Sequence, residues 1–414
     1  MSAFSIIARD PASRARAGLL QTAHGEVRTP AFIPLASSAS VRGLGPGEVE
    51  ALGYDIVLGN AFHLFLRPGS ELIAQLGGLH RFMGWGRAII TDSGGFQVFS
   101  MGHGTIADEI KGRRAGLRSG AILSIEEEGV RFRSYIDGAE RFIGPETSMQ
   151  VQAQLGSDIV LAFDECTPFN VDRDYTARST ERTHRWLERC QRWRAQHDSA
   201  GEALAAGAQP RTAGRDGSLF YGIVQGGVYE DLRVQSVGAV LASGCDGVAI
   251  GGSLGQDKEQ MYEVVDWGVR ELEASAADRP RHLLGIGEVD DLIRCVELGI
   301  DSFDCAMPTR LARHGVALVP DPSNRWRLEL DRPRWRASNE LLLEGCPCPA
   351  CKGGLSRGYL HYLARGGELT GARLLTLHNL TFIAGLVGDL RSAVIDGRLG
   401  QATAALRAGA APGG

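Results

Sequence analysis

Eight short apolar runs recur through the first three quarters of the chain, and each ends in small or polar residues. The runs are AFIPLAS (31–37), YDIVLGN (54–60), AIITDSGG (88–95), SDIVLAFDEC (157–166), LFYGIVQGG (219–227), GVAIGGS (247–253), HLLGIGE (282–288) and DSFDCAMP (301–308). Such runs are typical of strands buried on both faces of a parallel sheet. Helical stretches lie between several of them, at 173–197, 229–242, 257–274 and 288–298. This alternation predicts βαβ units, and eight strands predict an α/β fold, the (β/α)8 TIM barrel.

Polar side chains occur where these apolar runs end. They are Asp92, Asp164, Glu165, Gln225 and Asp304, and glycines lie close to several of them. Any one of them alone could be a cap or a turn residue. Barrel enzymes carry their chemistry at the C-terminal ends of the strands, so five such residues together predict a ligand site there.

Several segments exceed a minimal barrel. Residues 102–121 form a Gly-rich basic insertion, whose cations could hold phosphate or only face solvent, and 130–142 read as a hairpin around Asp137-Gly138. Residues 198–217 are of low complexity and are predicted to form a loop. We therefore predict a barrel domain over 1–335 with insertions near 102–142 and 198–217.

A second part of the chain is predicted after the barrel. The stretch GCPCPACK holds Cys346, Cys348 and Cys351, a spacing that brings three thiolates to one metal ion. Tetrahedral coordination of Zn²⁺ requires a fourth ligand. His378 in RLLTLHNLTF is the preferred candidate, and His361 is the alternative. Four ligands leave no open position for water, so the predicted zinc is structural.

We accordingly predict a zinc-binding helical subdomain over 336–400, packed on the barrel, and a disordered tail over 401–414.

Composition narrows the class of protein further. The chain has 414 residues, 43% of them hydrophobic, and a net charge of −5. No apolar stretch approaches the roughly 18 residues of a membrane span, and the N-terminus lacks a secretory signal, so a cytoplasmic protein is expected. In that compartment eight cysteines favour thiolate or metal chemistry over disulfides. The acidic balance leaves room for a local basic patch that binds RNA.

Seven stretches together resemble the bacterial tRNA-guanine transglycosylases, the queuine tRNA-ribosyltransferase family. They are LGNAFHLFLRPG, TDSGGFQVFS, EEGVRFRSYIDG, GSDIVLAFDECTP, GIVQGGVYEDLR, FDCAMPTR, and CPCPAC followed by SRGYLHYL and TLHNL. The resemblance runs from about residue 18 to 385. It implies a TIM barrel with a zinc subdomain that acts on the tRNA anticodon loop. The wobble guanine of G-U-N tRNAs would be exchanged for a 7-deazaguanine through a covalent aspartyl-ribose intermediate, in a homodimer.

The resemblance also implies residue roles. The nucleophile falls on Asp304 and the general acid/base on Asp92, although Asp92 could instead act only electrostatically. The implied base-binding residues are Ser93, Phe96, Asp164, Cys166, Gln225, Gly251, Gly252 and Leu284. The implied anticodon contacts are Arg310 and Arg313, and the implied zinc ligands are Cys346, Cys348, Cys351 and His378.

These residue types suit the implied chemistry. Cleavage of a ribose N-glycosidic bond passes through an oxocarbenium-like state, which a carboxylate on the opposite face of the sugar can capture. The leaving base needs a proton and the incoming base loses one, so a second carboxylate can serve both steps. A carboxylate and an amide can together read the edge of a guanine-like base, and a flipped nucleotide can stack on an aromatic ring.

The chain departs from the family wording in three places. The segment GGSLGQDK is one residue shorter than in many bacterial relatives and carries Gln256 near the position of a glutamate. Because this region touches the substituent of the incoming base, aminomethyl-deazaguanine and queuine both stay open as substrates. FIPLASSASVRGL also differs from the usual wording, and the insertion at 102–121 is longer than usual.

Three other functions compete with this interpretation. A zinc-dependent barrel hydrolase would need histidines and carboxylates at the strand ends, whereas the metal motif lies outside the predicted barrel. A non-catalytic tRNA-binding partner subunit of the same family is disfavoured by the retained Asp304 and Asp92. An archaeal-type enzyme would carry a further RNA-binding domain after the zinc region.

Overall fold

The computed structural model describes residues 3–102, 122–169, 171–198 and 217–413. Its strands are β1 (Phe4–Arg9), β2 (Arg16–Thr22), β3 (Gly25–Thr29), β4 (Ala31–Ala36), β5 (Ile56–Gly59), β6 (Ala88–Thr91), β7 (Ile122–Ile125), β8 (Val130–Arg133), β9 (Glu140–Ile143), β10 (Ile159–Leu161), β11 (Leu219–Val224), β12 (Gly247–Ile250), β13 (Arg281–Leu283), β14 (Ser302–Cys305), β15 (Val316–Leu318) and β16 (Arg327–Glu329). The sequence insertions predicted at 102–121 and 198–217 lie almost wholly outside the described residues.

The helices follow the strands in the alternation that the sequence predicts. They are α1 (Pro46–Ala51), α2 (Ala61–Leu66), α3 (Ser70–Gln75), α4 (Gly78–Met83), α5 (Gly95–Gly102), α6 (Pro145–Leu155), α7 (Arg173–Asp198), α8 (Glu230–Ala242), α9 (Lys258–Ala276), α10 (Val289–Glu297), α11 (Met307–Arg313), α12 (Pro349–Lys352), α13 (Arg357–Gly366), α14 (Leu369–Ile395) and α15 (Leu399–Arg407). Short 3₁₀ helices span Pro322–Asn324 and Pro333–Trp335.

Eight parallel strands close into a barrel. Their order is β4-β5-β6-β10-β11-β12-β13-β14, and β14 pairs with β4 to complete the circle. Each of the eight apolar runs overlaps one of these strands, so the predicted TIM barrel is confirmed. Alternate strand residues such as Ile33, Ile90, Ile223 and Ala249 form one buried cluster that fills the barrel, as a barrel core requires.

Two three-stranded antiparallel sheets flank the barrel. The sheet β1-β2-β3 contributes Phe4, Leu20 and Val27 to the same buried cluster as residues near the starts of the barrel strands, so it covers the bottom of the barrel. In the other sheet β8 pairs with β9 in antiparallel register, which confirms the predicted hairpin, and β7 adds a third strand.

Helix α14 belongs to two packing clusters. Leu374 and Leu375 pack with the three clustered cysteines, whereas Leu380 and Leu386 pack with the helices around the barrel. One helix therefore ties the cysteine region to the barrel. The domain boundary at 335/336 stays a prediction, because the shared helix gives no clear line between the two parts.

The sequence predicts disorder over 401–414, and this prediction is wrong for the helix that the structure places there. Helix α15 covers Leu399–Arg407 and buries Leu399 and Leu406 in the core around the barrel. Beyond it, the amide of Gly413 donates to Asp389 Oδ2 at 2.7 Å. The Gly- and Ala-rich composition concealed a helix. Alanine is a strong helix former, and two leucines seven residues apart lie on the same helix face, which suffices to dock the helix.

Within the described ranges, no helix combines the length and the apolar character that crossing a membrane requires.

Candidate active site

Asp92 follows β6 directly and is held by three donors. Its Oδ1 accepts from the amide of Ala61 at 2.8 Å, and its Oδ2 accepts from Asn60 Nδ2 at 2.5 Å and Gln97 Nε2 at 2.9 Å. Burial raises the pKa of Asp92 to about 7, the Ala61 amide opposes that rise, and the nearby charge of Asp304 adds to it. A carboxyl group with this pKa holds or releases a proton near neutral pH, which suits acid–base catalysis.

Asp304 lies on β14, at the mouth of the barrel, and is 8% exposed. Its Oδ1 accepts from the amide of Gly285 at 3.1 Å and lies 3.2 Å from His282 Nε2. Within the described parts of the chain, Oδ2 has no hydrogen-bond donor. One oxygen of the carboxylate is thus oriented by the protein while the other is free to react.

Asp164 forms the centre of a second polar group at the mouth. Its Oδ1 accepts from Ser93 Oγ at 2.9 Å and its Oδ2 accepts from Gln225 Nε2 at 2.7 Å. Burial raises the pKa of Asp164 to about 6, although the bonds from Ser93 and Gln225 oppose the rise. The carboxylate is ionised at neutral pH and can accept hydrogen bonds from a ligand.

Glycines allow the backbone to pack closely around this polar group. A Cβ on Gly252, whose φ is +75°, would lie 2.1 Å from Gln225 Oε1. A Cβ on Gly251 would lie 2.8 Å from Ile223 and 3.1 Å from Leu284, and one on Gly95 would lie 2.5 Å from the Asp164 carbonyl oxygen. Only a residue without a side chain fits at these positions, so backbone packs directly against the polar side chains of this group.

Two buried polar atoms close to the group around Asp164 lack a hydrogen-bond partner among the described residues. They are Gln225 Oε1 and Ser253 Oγ. An unpaired buried polar atom costs about 1–3 kcal/mol, so native proteins rarely keep one unless something else pairs with it. A ligand with donors and acceptors along its edge would meet this demand.

Phe96 and Cys166 border the site in different ways. Phe96 is 41% exposed although it is a large apolar ring, so its surface is available for stacking. Cys166 is buried, and that burial raises the pKa of its thiol well above its usual range. The thiol of Cys166 therefore stays protonated and can line a pocket without acting as a nucleophile.

A group of arginines lies near the barrel mouth. Burial lowers the pKa of Arg313, and the charges of Arg42 and Arg310 lower it further. None of the three has a carboxylate within ion-pair distance in the part of the chain that the structure describes. Unpaired cations held this close repel one another, which a polyanion would relieve.

The three cysteines converge on His378, as predicted. The distances from Cys346, Cys348 and Cys351 Sγ to His378 Nδ1 are 3.7, 3.3 and 3.6 Å. Ligands at zinc distances of 2.3 Å for sulfur and 2.0–2.1 Å for nitrogen would lie about 3.6 Å apart at tetrahedral angles. All four side chains are buried. The cluster therefore fits a structural zinc.

The second nitrogen of His378 supports the same conclusion. His378 Nε2 donates to the carbonyl of Leu318 at 2.8 Å, since a carbonyl can only accept. Nδ1 is then the nitrogen whose lone pair points at the thiols, as a metal ligand requires. The rival His361 turns its Nδ1 to the Leu330 carbonyl at 2.5 Å and is not in the cluster.

The structure thus brings most of the predicted site residues to one end of the barrel. These are Asp92, Ser93, Phe96, Asp164, Cys166, Gln225, Gly251, Gly252, Leu284 and Asp304, with Arg310 and Arg313 on the following helix. Sequence reasoning missed Asn60, Gln97, Arg42 and His282. Asn60 and Gln97 lie inside the stretches LGNAFHLFLRPG and TDSGGFQVFS, but they read locally as a helix cap and a helix residue. Nothing in the local sequence relates Arg42 or His282 to the site.

A TIM barrel with carboxylates at its mouth, beside a Cys3His cluster that could hold a metal ion, defines the class of protein as a barrel enzyme. The family model described as "Queuine tRNA-ribosyltransferase" matches residues 10–410. The chain belongs to the queuine tRNA-ribosyltransferase family.

Curated relatives cover almost the whole chain. A queuine tRNA-ribosyltransferase from Roseiflexus sp. (strain RS-1) is 48% identical over 397 residues, which are 96% of each chain. That of Symbiobacterium thermophilum is 42% identical and covers 96% of this chain and 89% of its own. The relative from Pelotomaculum thermopropionicum is also 42% identical, with 96% of each chain covered.

Proposed function

We propose that the protein is a tRNA-guanine transglycosylase, a pentosyltransferase that exchanges the wobble guanine of G-U-N tRNAs for a 7-deazaguanine in queuosine modification. The observation that carries the proposal is the barrel mouth itself. It holds Asp304, whose Oδ2 has no donor among the described residues, Asp92 with a pKa of about 7, and, near Asp164, the buried Gln225 Oε1 and Ser253 Oγ, which also lack partners among those residues. The curated relatives are named for the same reaction.

Asp304 is proposed as the nucleophile. Its Oδ2 attacks C1′ of the ribose, and the electron pair of the C1′–N9 bond leaves with guanine. Asp92 supplies the proton that the departing base takes up. The incoming base then gives a proton back to Asp92, and its nitrogen attacks C1′ and releases the Asp304 carboxylate. Proton uptake and release balance over the exchange, so one carboxyl group serves both halves.

The pocket around Asp164 is proposed to read the base. The Asp164 carboxylate accepts from the ring N–H and exocyclic amine of a guanine-like edge, in place of the Ser93 and Gln225 donors that it now binds. Gln225 is then free to donate to the base carbonyl. Backbone at Gly251 and Gly252 and the side chains of Cys166 and Leu284 would enclose the ring, and Phe96 would stack on it.

We propose that the arginines at the mouth bind the anticodon loop. Arg310 and Arg313 stand on the helix that follows Asp304, so phosphate bound there would lie beside the reacting ribose. The Cys3His cluster would hold one zinc ion, which cross-links the cysteine loop to α14 and takes no part in the chemistry. A cytoplasmic homodimer is proposed from the resemblance to the family.

The incoming base is proposed to be aminomethyl-deazaguanine or queuine. The wall after Gly252 carries the shortened segment, and Ser253 Oγ within it is buried without a partner among the described residues. A direct competition of the two bases for the same tRNA decides between them, because the preferred base gives the higher kcat/KM.

The test is exchange of radiolabelled guanine into unmodified tRNA with a G-U-N anticodon. The wild-type protein should incorporate label, and Asp304→Asn should incorporate none above background. Asp278→Asn, at an exposed aspartate outside the site, is the matched control and should keep full activity. Exchange that survives in Asp304→Asn, or an inactive zinc-loaded wild type, would contradict the proposal. Label incorporated only with a second protein present would favour the partner-subunit alternative.

A further inference from the structure

A polar pair lies inside the otherwise apolar barrel, below the nucleophile. His282 on β13 and Ser302 on β14 are register partners, and His282 Nδ1 lies 2.9 Å from Ser302 Oγ. His282 is 0% exposed. The neighbouring strands contribute apolar side chains such as Ile33 and Ala249 to the barrel interior. A buried imidazole in such surroundings is costly unless both of its nitrogens have partners.

The second nitrogen of His282 points at the nucleophile. His282 Nε2 has no well-aligned hydrogen-bond partner in the described chain, but it lies 3.2 Å from Asp304 Oδ1. A small rotation of the carboxylate would complete the bond. Hydrogen bonds of this kind are often poorly aligned in a free enzyme and align when substrate is bound.

For a neutral ring, the surroundings of His282 favour one of the two tautomers. If Ser302 Oγ donates to Nδ1, the proton of the ring sits on Nε2 and faces the Asp304 carboxylate. The reverse tautomer would turn a nitrogen lone pair toward a negatively charged oxygen 3.2 Å away, which is repulsive. The hydrogen bonds therefore run in one direction, from Ser302 Oγ to His282 Nδ1 and from His282 Nε2 to the Asp304 carboxylate.

We propose that His282 is a positioning residue for Asp304. Its Nε2–H and the amide of Gly285 together hold Oδ1, which leaves Oδ2 as the oxygen that attacks the ribose. This inference rests on the proposed function, in which Asp304 forms the covalent bond. His282 transfers no proton.

The same two donors act in both halves of the reaction. When Oδ2 bonds to C1′, Oδ1 becomes the ester carbonyl oxygen and keeps its two donors. When the incoming base displaces the ester, the electron pair of the C1′–Oδ2 bond returns to the carboxylate. The Nε2–H and the Gly285 amide then stabilise the charge that reappears, as preorganised donors do in other acyl- and glycosyl-transfer sites.

The kinetic test compares two substitutions at one position. His282→Phe keeps a ring but removes the donor, whereas His282→Gln keeps an N–H at the reach of Nε2. A hydrogen bond to a buried charge is worth about 1.5–3 kcal/mol, so His282→Phe should lower kcat by about 10- to 150-fold with KM for tRNA and guanine unchanged. His282→Gln should stay within about 3-fold of the wild type.

Ser302→Ala controls for the tautomer and should give an intermediate loss, because only the charge of Asp304 then keeps the proton on Nε2. Thermal unfolding of each variant checks that it is folded. A folded His282→Phe with wild-type kcat, or a His282→Gln that loses as much as His282→Phe, would overturn the proposal. So would a loss confined to KM.

A spectroscopic arm does not depend on activity. With ¹⁵N-labelled histidine, the wild type should show a His282 Nε2–H proton signal that is missing in His282→Gln and shifted in Asp304→Asn. The inference would be refuted, even if exchange proceeds, by a proton on Nδ1 instead of Nε2. An Nε2–H signal that is unchanged in Asp304→Asn would refute it as well. The expected signal in a protein without exchange activity would refute the proposed function alone.

Discussion

The barrel mouth and the cysteine cluster are both groups of buried polar side chains, but they differ in whether those side chains have partners. At the cluster, three thiols and His378 Nδ1 point at one centre, and the second nitrogen of His378 is bonded to Leu318. At the mouth, Gln225 Oε1, Ser253 Oγ and Gln97 Oε1 are buried without partners among the described residues.

This difference indicates that the cysteine cluster contributes to stability and that the barrel mouth contributes to catalysis. A closed shell of four ligands gives a metal no position for substrate, so the cluster can only hold the fold together. A site that keeps polar atoms unpaired and carboxyl groups with raised pKa values costs stability, which proteins tolerate where a ligand repays it. Substitutions in the two regions should therefore have opposite signatures.

The largest effect is expected at the cluster. If the cluster binds zinc as proposed, Cys348→Ser should abolish that binding and lower the free energy of unfolding by at least about 3 kcal/mol, because structural zinc contributes directly to folding. Metal analysis of the purified protein and chemical denaturation measure both. Cys245→Ser, at a buried thiol outside the cluster, should keep one zinc per chain. A zinc-free wild type of full stability would remove the contrast between the two regions.

Asp92→Asn should show the opposite signature. Loss of a general acid/base lowers kcat by about 10²- to 10⁴-fold. The native fold should nevertheless become more stable at pH 8. Gln97 Oε1, which has no partner among the described residues, can turn toward the new amide and accept a hydrogen bond from it. Guanine exchange and urea unfolding of the same preparation measure the two effects.

The pH dependence of that gain has a definite sign. Burial raises the native pKa of Asp92 to about 7, above its value near 4 in the unfolded chain. Ionisation of Asp92 therefore costs the wild type stability as the pH rises from about 4 to 7. Asp92→Asn should match the wild type near pH 4 and exceed it by a few kcal/mol above pH 7. A gain at acid pH would contradict this assignment.

The base pocket should give a smaller, more selective effect. Asp164→Asn replaces a charged acceptor by a neutral one, so KM for guanine should rise by about 10- to 100-fold. KM for tRNA should hardly change, since the substitution lies away from the arginines. Steady-state exchange at varied guanine checks this prediction, and an unchanged KM for guanine would place base recognition elsewhere.

The smallest effects are expected from the arginines. Arg310→Ala and Arg313→Ala should each reduce the dependence of tRNA affinity on salt by about one ion, with KM for guanine unchanged. Filter binding at several salt concentrations measures the slope. Arg9→Ala, in the sheet beneath the barrel, is the control and should leave the slope as it is. Equal slopes in all variants would exclude these arginines from RNA binding.

The sequence predicted the barrel and the cysteine cluster because each leaves a local signature. Eight apolar runs mark buried strands, and a C-x-C-x-x-C spacing marks converging thiolates. His282 left no such signature, because its role depends on the pairing of β13 with β14 and not on its neighbours in sequence. Helix α15 was missed for a related reason. Its alanine-rich sequence is also typical of a disordered tail, and only the folded chain shows that Leu399 and Leu406 are buried in the core.

The most direct measurement maps the covalent intermediate. The protein is mixed with unmodified G-U-N tRNA, quenched in denaturant, digested with nuclease and protease, and analysed by mass spectrometry. The account predicts a ribose-linked fragment on the peptide that contains Asp304, absent in Asp304→Asn and present in Asp92→Glu. An adduct on Asp92, or sustained exchange with no adduct on any carboxylate, would contradict it.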